Sequence, residues 1–260
     1  MYMSKIGKAF ENGKAFIPFL VAGDPDAETT VKTILEMVHA GADLIEIGIP
    51  FSDPTAEGPV IQAADIRALQ GGMKTEAAFD IVAKVREQSD VPIVFLTYLN
   101  PVFHYGYEAF AQQCQKVGVD GIICPDLPYE EKHELSDVAE KYGLDMISLI
   151  APTSKSRIQM IAKEAAGYIY VVSSMGVTGV RQEITTDIGE MVKAIRQVTD
   201  IPCAVGFGIS TPEQAAQMAG ISDGAIVGSA IVKLMAQYGK EAPAHVYEYV
   251  KEMKDAVANA

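Results

Sequence analysis

The chain has 260 residues, of which 49% are hydrophobic and 21% are charged, a composition typical of globular proteins rather than disordered or fibrous ones. Asp and Glu number 34 against 21 Lys and Arg, so the formal net charge is −13 at pH 7. This charge disfavours nucleic acid and anionic membranes as partners, although a small anionic ligand is still compatible with a local site.

The positions of the cysteines, the histidines and the apolar runs disfavour disulfide-linked, metal-binding, secreted and membrane-spanning proteins. The three cysteines have no close pair spacing and the four histidines have no metal-ligand spacing, so we expect reduced cysteines and no bound metal. Residues 1–16 lack the apolar core of a secretion signal, and no apolar run approaches the roughly 20 residues that span a bilayer. We therefore expect a cytoplasmic protein.

Short runs rich in β-branched residues alternate with segments of helical periodicity along the whole chain. Prolines at two of the run starts, Pro92 and Pro202, stand where a strand begins and no ladder donor is needed. In chain order, the eight strand candidates cover residues 15–23, 42–49, 91–99, 120–126, 145–152, 167–174, 201–208 and 224–230.

The segments between these runs predict amphipathic helices. The sequence Thr211-Pro-Glu-Gln214 combines a capping residue, a proline at the first helical position and a glutamine at the third, as expected where a helix begins. After Asp26, four apolar residues recur at i, i+3, i+4 and i+7, which predicts one stripe that faces a sheet: Val31, Ile34, Leu35 and Val38.

Apolar strands that alternate with helices predict a parallel sheet covered by helices. Eight such units in 260 residues average about 32 residues each, which matches a closed α/β architecture, the (β/α)8 TIM barrel. No linker, charge block or low-complexity tract divides the chain, so we predict a single domain over residues 1–260 with extra short helices. An open, doubly wound sheet is the alternative.

Glu46 is the only charged residue in the run from Leu44 to Ile49, and side-chain alternation places it on the inner face of the sheet. Active sites of such barrels lie at the carboxyl ends of the strands. An ionised interior carboxylate is costly, so the pKa of Glu46 should be raised towards the range useful for proton transfer. A structural carboxylate satisfied within the core is the alternative interpretation.

The loop after this strand, residues 50–59, carries Asp53 and Glu57 among three prolines. Alone, these two acids would be interpreted as ordinary surface charges on a turn-rich loop. Their position directly above Glu46 favours a functional role instead.

Glycines cluster in the last three strand-to-helix loops, at residues 176–179, 206–208 and 228–229. Backbone amides in such loops, together with a helix N-terminus, bind phosphate without cationic side chains. Neither the dinucleotide fingerprint nor a Walker sequence is present. The pattern therefore predicts a site for a small phosphorylated substrate.

Aromatic residues near the strand ends, equally compatible with a core role, are candidates for walls around a flat apolar group: Phe19, Tyr98, Tyr170 and Phe207. Interior strand positions carry no lysine, which disfavours Schiff-base chemistry, and the lack of a His/carboxylate cluster disfavours a metal enzyme. Acid/base catalysis by carboxylates is the chemistry that these residues favour.

Four segments together resemble the alpha subunit of tryptophan synthase: EIGIPFSDPTAEG (46–58), SSMGVTG (173–179), GFGISTPEQ (206–214) and GSAIVK (228–233). The resemblance follows essentially the whole chain in order. It implies a (β/α)8 barrel that cleaves indole-3-glycerol phosphate to indole and glyceraldehyde 3-phosphate and passes indole to a beta subunit. It also implies no cofactor in this chain, pyridoxal phosphate in the beta subunit, and an alpha2beta2 heterotetramer.

Position by position, the resemblance implies that Glu46 moves a proton between the glyceryl hydroxyl and carbon 3 of the indole. Glu57 stands where the family typically has an aspartate that binds the indole N–H. The other implied positions are phosphate binding at Gly179, Gly208, Gly228 and Ser229, an indole pocket at Phe19, Leu96, Tyr98, Tyr170 and Phe207, loop closure at Thr178, and beta-subunit contact at Asp53.

The glutamate at position 57 supports an alternative function. One extra methylene moves a carboxylate by about 1 Å, and such misplacement can cost about a hundredfold in rate. The chain would then act mainly as a docking and activating subunit with weak intrinsic catalysis. A third hypothesis is a related phosphate-binding barrel that catalyses isomerisation or ring closure, which only the loop at 50–59 disfavours.

Overall fold

The computed structural model describes residues 5–172, 184–206 and 208–260, with the side chains of 184–187 excepted. The strands are β1 (Ala15–Val21), β2 (Ile45–Gly48), β3 (Ile93–Leu96), β4 (Gly121–Ile123), β5 (Asp145–Met146), β6 (Ser148–Ile150), β7 (Ile169–Val172), β8 (Cys203–Gly206) and β9 (Gly224–Val227). The α-helices are α1 (Lys5–Lys8), α2 (Ala27–His39), α3 (Pro59–Gln70), α4 (Thr75–Arg86), α5 (Leu99–Tyr105), α6 (Tyr107–Val117), α7 (His133–Lys141), α8 (Lys155–Ala162), α9 (Ile184–Arg196), α10 (Pro212–Ile221), α11 (Ser229–Tyr238) and α12 (Ala242–Ala258).

All the paired strands are parallel, in the order β5-β4-β3-β2-β1-β9-β8-β7-β6. The first and last strands in this order are separated in the chain only by Ile147, so both ends of the sheet lie in one short segment. β5 pairs with β4 and β6 pairs with β7. The sheet therefore nearly closes into a barrel, as predicted, and the open doubly wound alternative is wrong.

The buried apolar residues form two layers, and side-chain alternation along each strand decides which layer a residue joins. Ile45 and Ile47 of β2 belong to the larger cluster, between the sheet and the helices. Leu44 belongs to a smaller cluster inside the barrel, together with Ile17 of β1 and Val94 of β3. Glu46, which lies between the two isoleucines, consequently points into the barrel.

Two helix starts show how local sequence fixes the elements around the barrel. Thr211 accepts a hydrogen bond from the backbone N–H of Gln214, whose side chain bonds back to the cap, so the predicted capping box is confirmed. At α2, the Asp26 carboxylate accepts a hydrogen bond of 2.8 Å from the backbone N–H of Thr29. Both caps satisfy donors that the first helical turn leaves free.

The buried face of α2 differs in part from the predicted apolar stripe. Of the four predicted residues, Ile34 is fully buried, whereas Val31, Leu35 and Val38 are half-buried at the edge of the core. Thr30 and Thr33 lie on the buried face instead. Both hydroxyls donate to backbone carbonyls one turn earlier, at 2.8 Å, which removes the cost of burying them.

The sequence also predicts no membrane-spanning segment, no bound metal and no disulfide bond. Among the helices that the structure describes, none is long and apolar enough to cross a membrane. The described residues contain no group of three or more His, Cys, Asp or Glu side chains able to hold a metal ion. All three cysteines lie in the described ranges, where they are buried and free of disulfide bonds.

Candidate active site

Glu46 lies in the barrel interior on β2, opposite Phe19 of β1 and Val94 of β3 in the register of the sheet. Its side chain is 1% exposed. Two residues further along β2, a Cβ on Gly48 would lie 2.7 Å from the Phe19 ring. Glycine at position 48 therefore lets that ring fill the space beside Glu46.

The hydroxyl of Tyr168, just before β7, donates a hydrogen bond to Oε1 of Glu46 across the barrel. Burial raises the pKa of Glu46 to about 8, and the hydrogen bond from Tyr168 partly opposes this shift. Burial and the Glu46 charge also raise the pKa of Tyr168 well above its usual value. Burial therefore favours the protonated form of Glu46 at neutral pH, with Tyr168 as its neutral hydrogen-bond donor.

Sequence reasoning missed Tyr168, because it identified only Tyr170, two residues later in the chain. Residues 168 and 170 lie on the same face by alternation, and this was the signal available. Tyr170 is half-buried, and a Cβ on Gly206 would lie 2.6 Å from its ring. Gly206, in the glycine loop interpreted as phosphate binding, is therefore required by aromatic packing.

Glu57 stands two residues before α3 and is held at both its backbone and its side chain. The Gln62 side chain donates a 2.8 Å hydrogen bond to the backbone carbonyl of Glu57. The Tyr98 hydroxyl accepts a 3.2 Å hydrogen bond from the backbone N–H of Ala56 and lies within hydrogen-bonding reach of the Glu57 carboxyl. Tyr98, which lies two residues after β3 and caps α5, is itself fully buried.

A second acid, Asp65 of α3, faces Glu57 and was not anticipated from the sequence. It is 2% exposed, and burial together with the neighbouring Glu57 raises the pKa of Asp65. Burial also raises the pKa of Glu57. The available signal was a charged residue between Ala64 and Ala68 on the buried side of α3.

The other described site positions lie at the same end of the barrel, where parallel strands end. Leu96 is opposite Gly48 in the sheet, which places it beside Phe19 and Glu46 at this edge. Gly228 caps the N-terminus of α11 and Ser229 is the first residue of that helix. Gly208 has a φ of +78°, a conformation that favours glycine. Thr178, Gly179 and Phe207 lie outside the described residues.

The whole chain matches proteins of one family. Residues 7–258 match the family model described as tryptophan synthase alpha chain. The tryptophan synthase alpha chain of Lacticaseibacillus casei is 55% identical over 257 residues, which cover 99% of this chain and 97% of that protein. A second relative of the same name, from Lactiplantibacillus plantarum, is 51% identical over 98% of this chain and 97% of its own length.

This chain belongs to the tryptophan synthase alpha chain family. Solved structures agree: subunit alpha from Legionella pneumophila str. Paris has a TM-score of 0.89 and 37% identity, with 100% of each chain covered. A chain from a Mycobacterium tuberculosis tryptophan synthase structure has a TM-score of 0.90 and 34% identity, with 99% of each chain covered.

As an alpha chain, the protein is a lyase of tryptophan biosynthesis that cleaves indole-3-glycerol phosphate. The hypothesis of a related barrel that catalyses isomerisation or ring closure is therefore wrong. An alpha chain needs no cofactor of its own, since pyridoxal phosphate belongs to the beta subunit. The solved neighbours include tryptophan synthase complexes, which implies a beta-subunit partner for this alpha chain.

Proposed function

We propose that Glu46 performs the acid/base steps of the cleavage and that Glu57 binds the indole N–H. The observation that carries this proposal is a buried carboxyl in the barrel interior that accepts a hydrogen bond from Tyr168 and lies close to the strand ends, where barrel sites lie. Burial raises the pKa of this carboxyl to about 8. Two carboxyl groups in different environments are suited to divide acid and base work.

In the proposed reaction, protonated Glu46 first donates its proton to carbon 3 of the indole ring. The resulting positive charge is shared with the ring nitrogen, whose N–H donates to the carboxylate of Glu57. Glu46, now ionised, removes the proton from the glyceryl hydroxyl, and the bond from carbon 3 to the glyceryl carbon breaks. Its electron pair restores the indole double bond, giving indole and glyceraldehyde 3-phosphate with Glu46 protonated again.

We place the substrate phosphate at the loops that contain Gly208 and Gly228, with Ser229 at the start of α11 and Gly179 as a further predicted ligand. The net charge of −13 makes an anionic substrate hard to attract by overall charge. Backbone amides and the positive end of a helix overcome this locally. The aromatic walls in the proposal are Phe19, Leu96, Tyr98, Tyr170 and Phe207, with Thr178 closing over the site.

The variant Glu46→Gln tests the role of Glu46. Glutamine keeps the size and hydrogen-bonding capacity of the side chain but transfers no proton, so we expect indole release to fall at least a thousandfold, within the range attributed to acid/base catalysis. Glu28→Gln, an exposed site on α2, is the matched control for the charge change. Undiminished release by folded Glu46→Gln would refute the proposal.

The docking-subunit hypothesis depends on Glu57 and is tested by Glu57→Asp. A large gain in turnover with aspartate would show that Glu57 is a handicap and would favour a mainly docking and activating role. A loss would show that this site is adapted to glutamate. The comparison is made for the isolated chain and for its mixture with a beta subunit, and brisk turnover of the isolated wild type would refute the docking hypothesis.

We further propose an alpha2beta2 heterotetramer in the cytoplasm, with one domain over residues 1–260 and the exposed Asp53 at the beta-subunit contact. Reduced, buried cysteines support a reducing compartment. Light scattering of the mixed subunits measures the assembly. We expect Asp53→Asn to weaken it, whereas Glu252→Gln, an exposed site on α12, leaves it unchanged. Equal assembly by both variants would refute the role of Asp53.

A further inference from the structure

The carboxyl groups of the half-buried Glu57 and the buried Asp65 face each other beside α3. Among the described residues, Oε2 of Glu57 and Oδ2 of Asp65 are buried oxygen atoms that meet no N–H or O–H donor. The two side chains nevertheless lie within hydrogen-bonding distance of each other. Two ionised carboxylates in this arrangement would repel each other, whereas one proton shared by the two carboxyl groups removes the repulsion and gives the pair a hydrogen bond.

The surroundings favour Asp65 as the residue that holds this proton. Asp65 faces the negative charges of Glu57 and, from the loop after β1, of Asp24. The Asp24 carboxylate already accepts two hydrogen bonds from Arg67, from Nε at 2.8 Å and from Nη2 at 2.7 Å. Glu57 faces the Tyr98 hydroxyl as a second donor, which favours its ionised form.

We propose that Asp65 is a positioning residue, which holds the longer side chain of Glu57 through one shared proton so that Glu57 presents an ionised carboxylate to the indole N–H. Asp65 lies on a regular helix and Gln62 of the same helix holds the backbone of Glu57, so α3 fixes both ends of this glutamate. The inference rests on the role proposed above for Glu57.

A double-mutant cycle tests whether Asp65 acts through Glu57. We expect Asp65→Ala to lower kcat/KM for indole-3-glycerol phosphate by about 10- to 100-fold, because misplacing a substrate-binding group carries a cost of this size. In a Glu57→Gln background, the same change should cost less than about threefold. Asp65→Asn, whose amide still donates to Glu57, should keep kcat/KM within about threefold of the wild type and remain folded.

A binding measurement separates positioning from a purely structural role. The ligand is 3-(indol-3-yl)propyl phosphate, which keeps the indole N–H and the phosphate but has no hydroxyl to deprotonate. In a Glu46→Gln background, which removes the titration of Glu46, we expect affinity to fall about tenfold at alkaline pH as the shared proton is lost. The added change Asp65→Asn should abolish this fall, because an amide does not titrate.

Three results would refute the positioning role of Asp65, and a fourth would refute the role of Glu57 on which it depends. If Asp65→Ala costs as much with Gln as with Glu at position 57, or if Asp65→Asn is as damaging as Asp65→Ala, Asp65 is structural and this inference is wrong. An alkaline loss of affinity that persists in Asp65→Asn refutes it as well. If Glu57→Gln alone leaves kcat/KM unchanged, the proposed role of Glu57 fails and this inference fails with it.

Discussion

The hydrogen bond from Tyr168 to Glu46 makes a quantitative prediction about the pH dependence of cleavage. In the proposed mechanism the reaction begins with protonated Glu46, whose pKa burial raises to about 8. We therefore expect kcat/KM to fall on the alkaline side with a midpoint near this value, since kcat/KM reports ionisation of the free enzyme. Tyr168→Phe removes the hydroxyl that stabilises the ionised form of Glu46.

The size of the change follows from the two protonation states. A hydrogen bond contributes about 1.5–3 kcal/mol to a charged group but about 0.5–1.5 kcal/mol to a neutral one. Loss of the bond therefore disfavours ionised Glu46 by roughly 1.4 kcal/mol more than protonated Glu46, which corresponds to about one pH unit. We expect the alkaline midpoint of Tyr168→Phe to move upward by this amount.

The assay follows glyceraldehyde 3-phosphate formation between about pH 6 and pH 10, where a loss of kcat/KM with ionisation of Glu46 is measurable. Tyr170→Phe is the matched control, because it removes a hydroxyl two residues later on the same face while Tyr168 still donates to Glu46. Its midpoint should stay at the wild-type position. A midpoint that stays fixed or moves down in Tyr168→Phe would refute the reasoning.

Three predictions concern stability and are measured by urea unfolding. Between its ordinary pKa of 4.5 and the folded value of about 8, Glu46 is protonated only in the folded chain, so its ionisation lowers the free energy of unfolding by up to about 5 kcal/mol as pH rises through this window. The raised pKa values of Glu57 and Asp65 act in the same direction, so Glu46→Gln should reduce this pH dependence without abolishing it, and an unchanged slope would contradict the prediction. Thr211→Ala should lower the free energy of unfolding by about 1 kcal/mol, because it removes the cap of α10. Thr75→Ala, which removes no cap hydrogen bond, should change it little, and equal losses in the two variants would count against the capping box. Arg67→Met leaves the buried Asp24 carboxylate unpaired and should lower the free energy of unfolding by about 3 kcal/mol. Arg157→Met breaks an exposed ion pair and should lower it by less than about 1 kcal/mol. Similar losses would show that burial does not set the contribution of these two ion pairs.

The sequence by itself determined the order of the elements and the face on which Glu46 lies. Alternation along β2 is a property of neighbouring residues, so it places Glu46 on the face opposite Ile45 and Ile47, and the barrel predicted from the order of the elements makes that face the interior. The same holds for the capping box at Thr211 and Gln214, whose partners are three residues apart. Patterns of this kind involve only residues of one strand or one helical turn, so they can be recognised in the sequence alone.

Only the tertiary structure decided which groups meet across the barrel. Tyr168 and Glu46 are separated by 122 residues in sequence, and their contact depends on how the sheet closes. The sequence shows Asp65 only as a charge between two alanines of α3, and its position against Glu57 depends on how that helix packs. Strand alternation and helix periodicity each fix a direction relative to the local backbone, whereas the distance between two side chains on different elements is set by packing of the whole barrel.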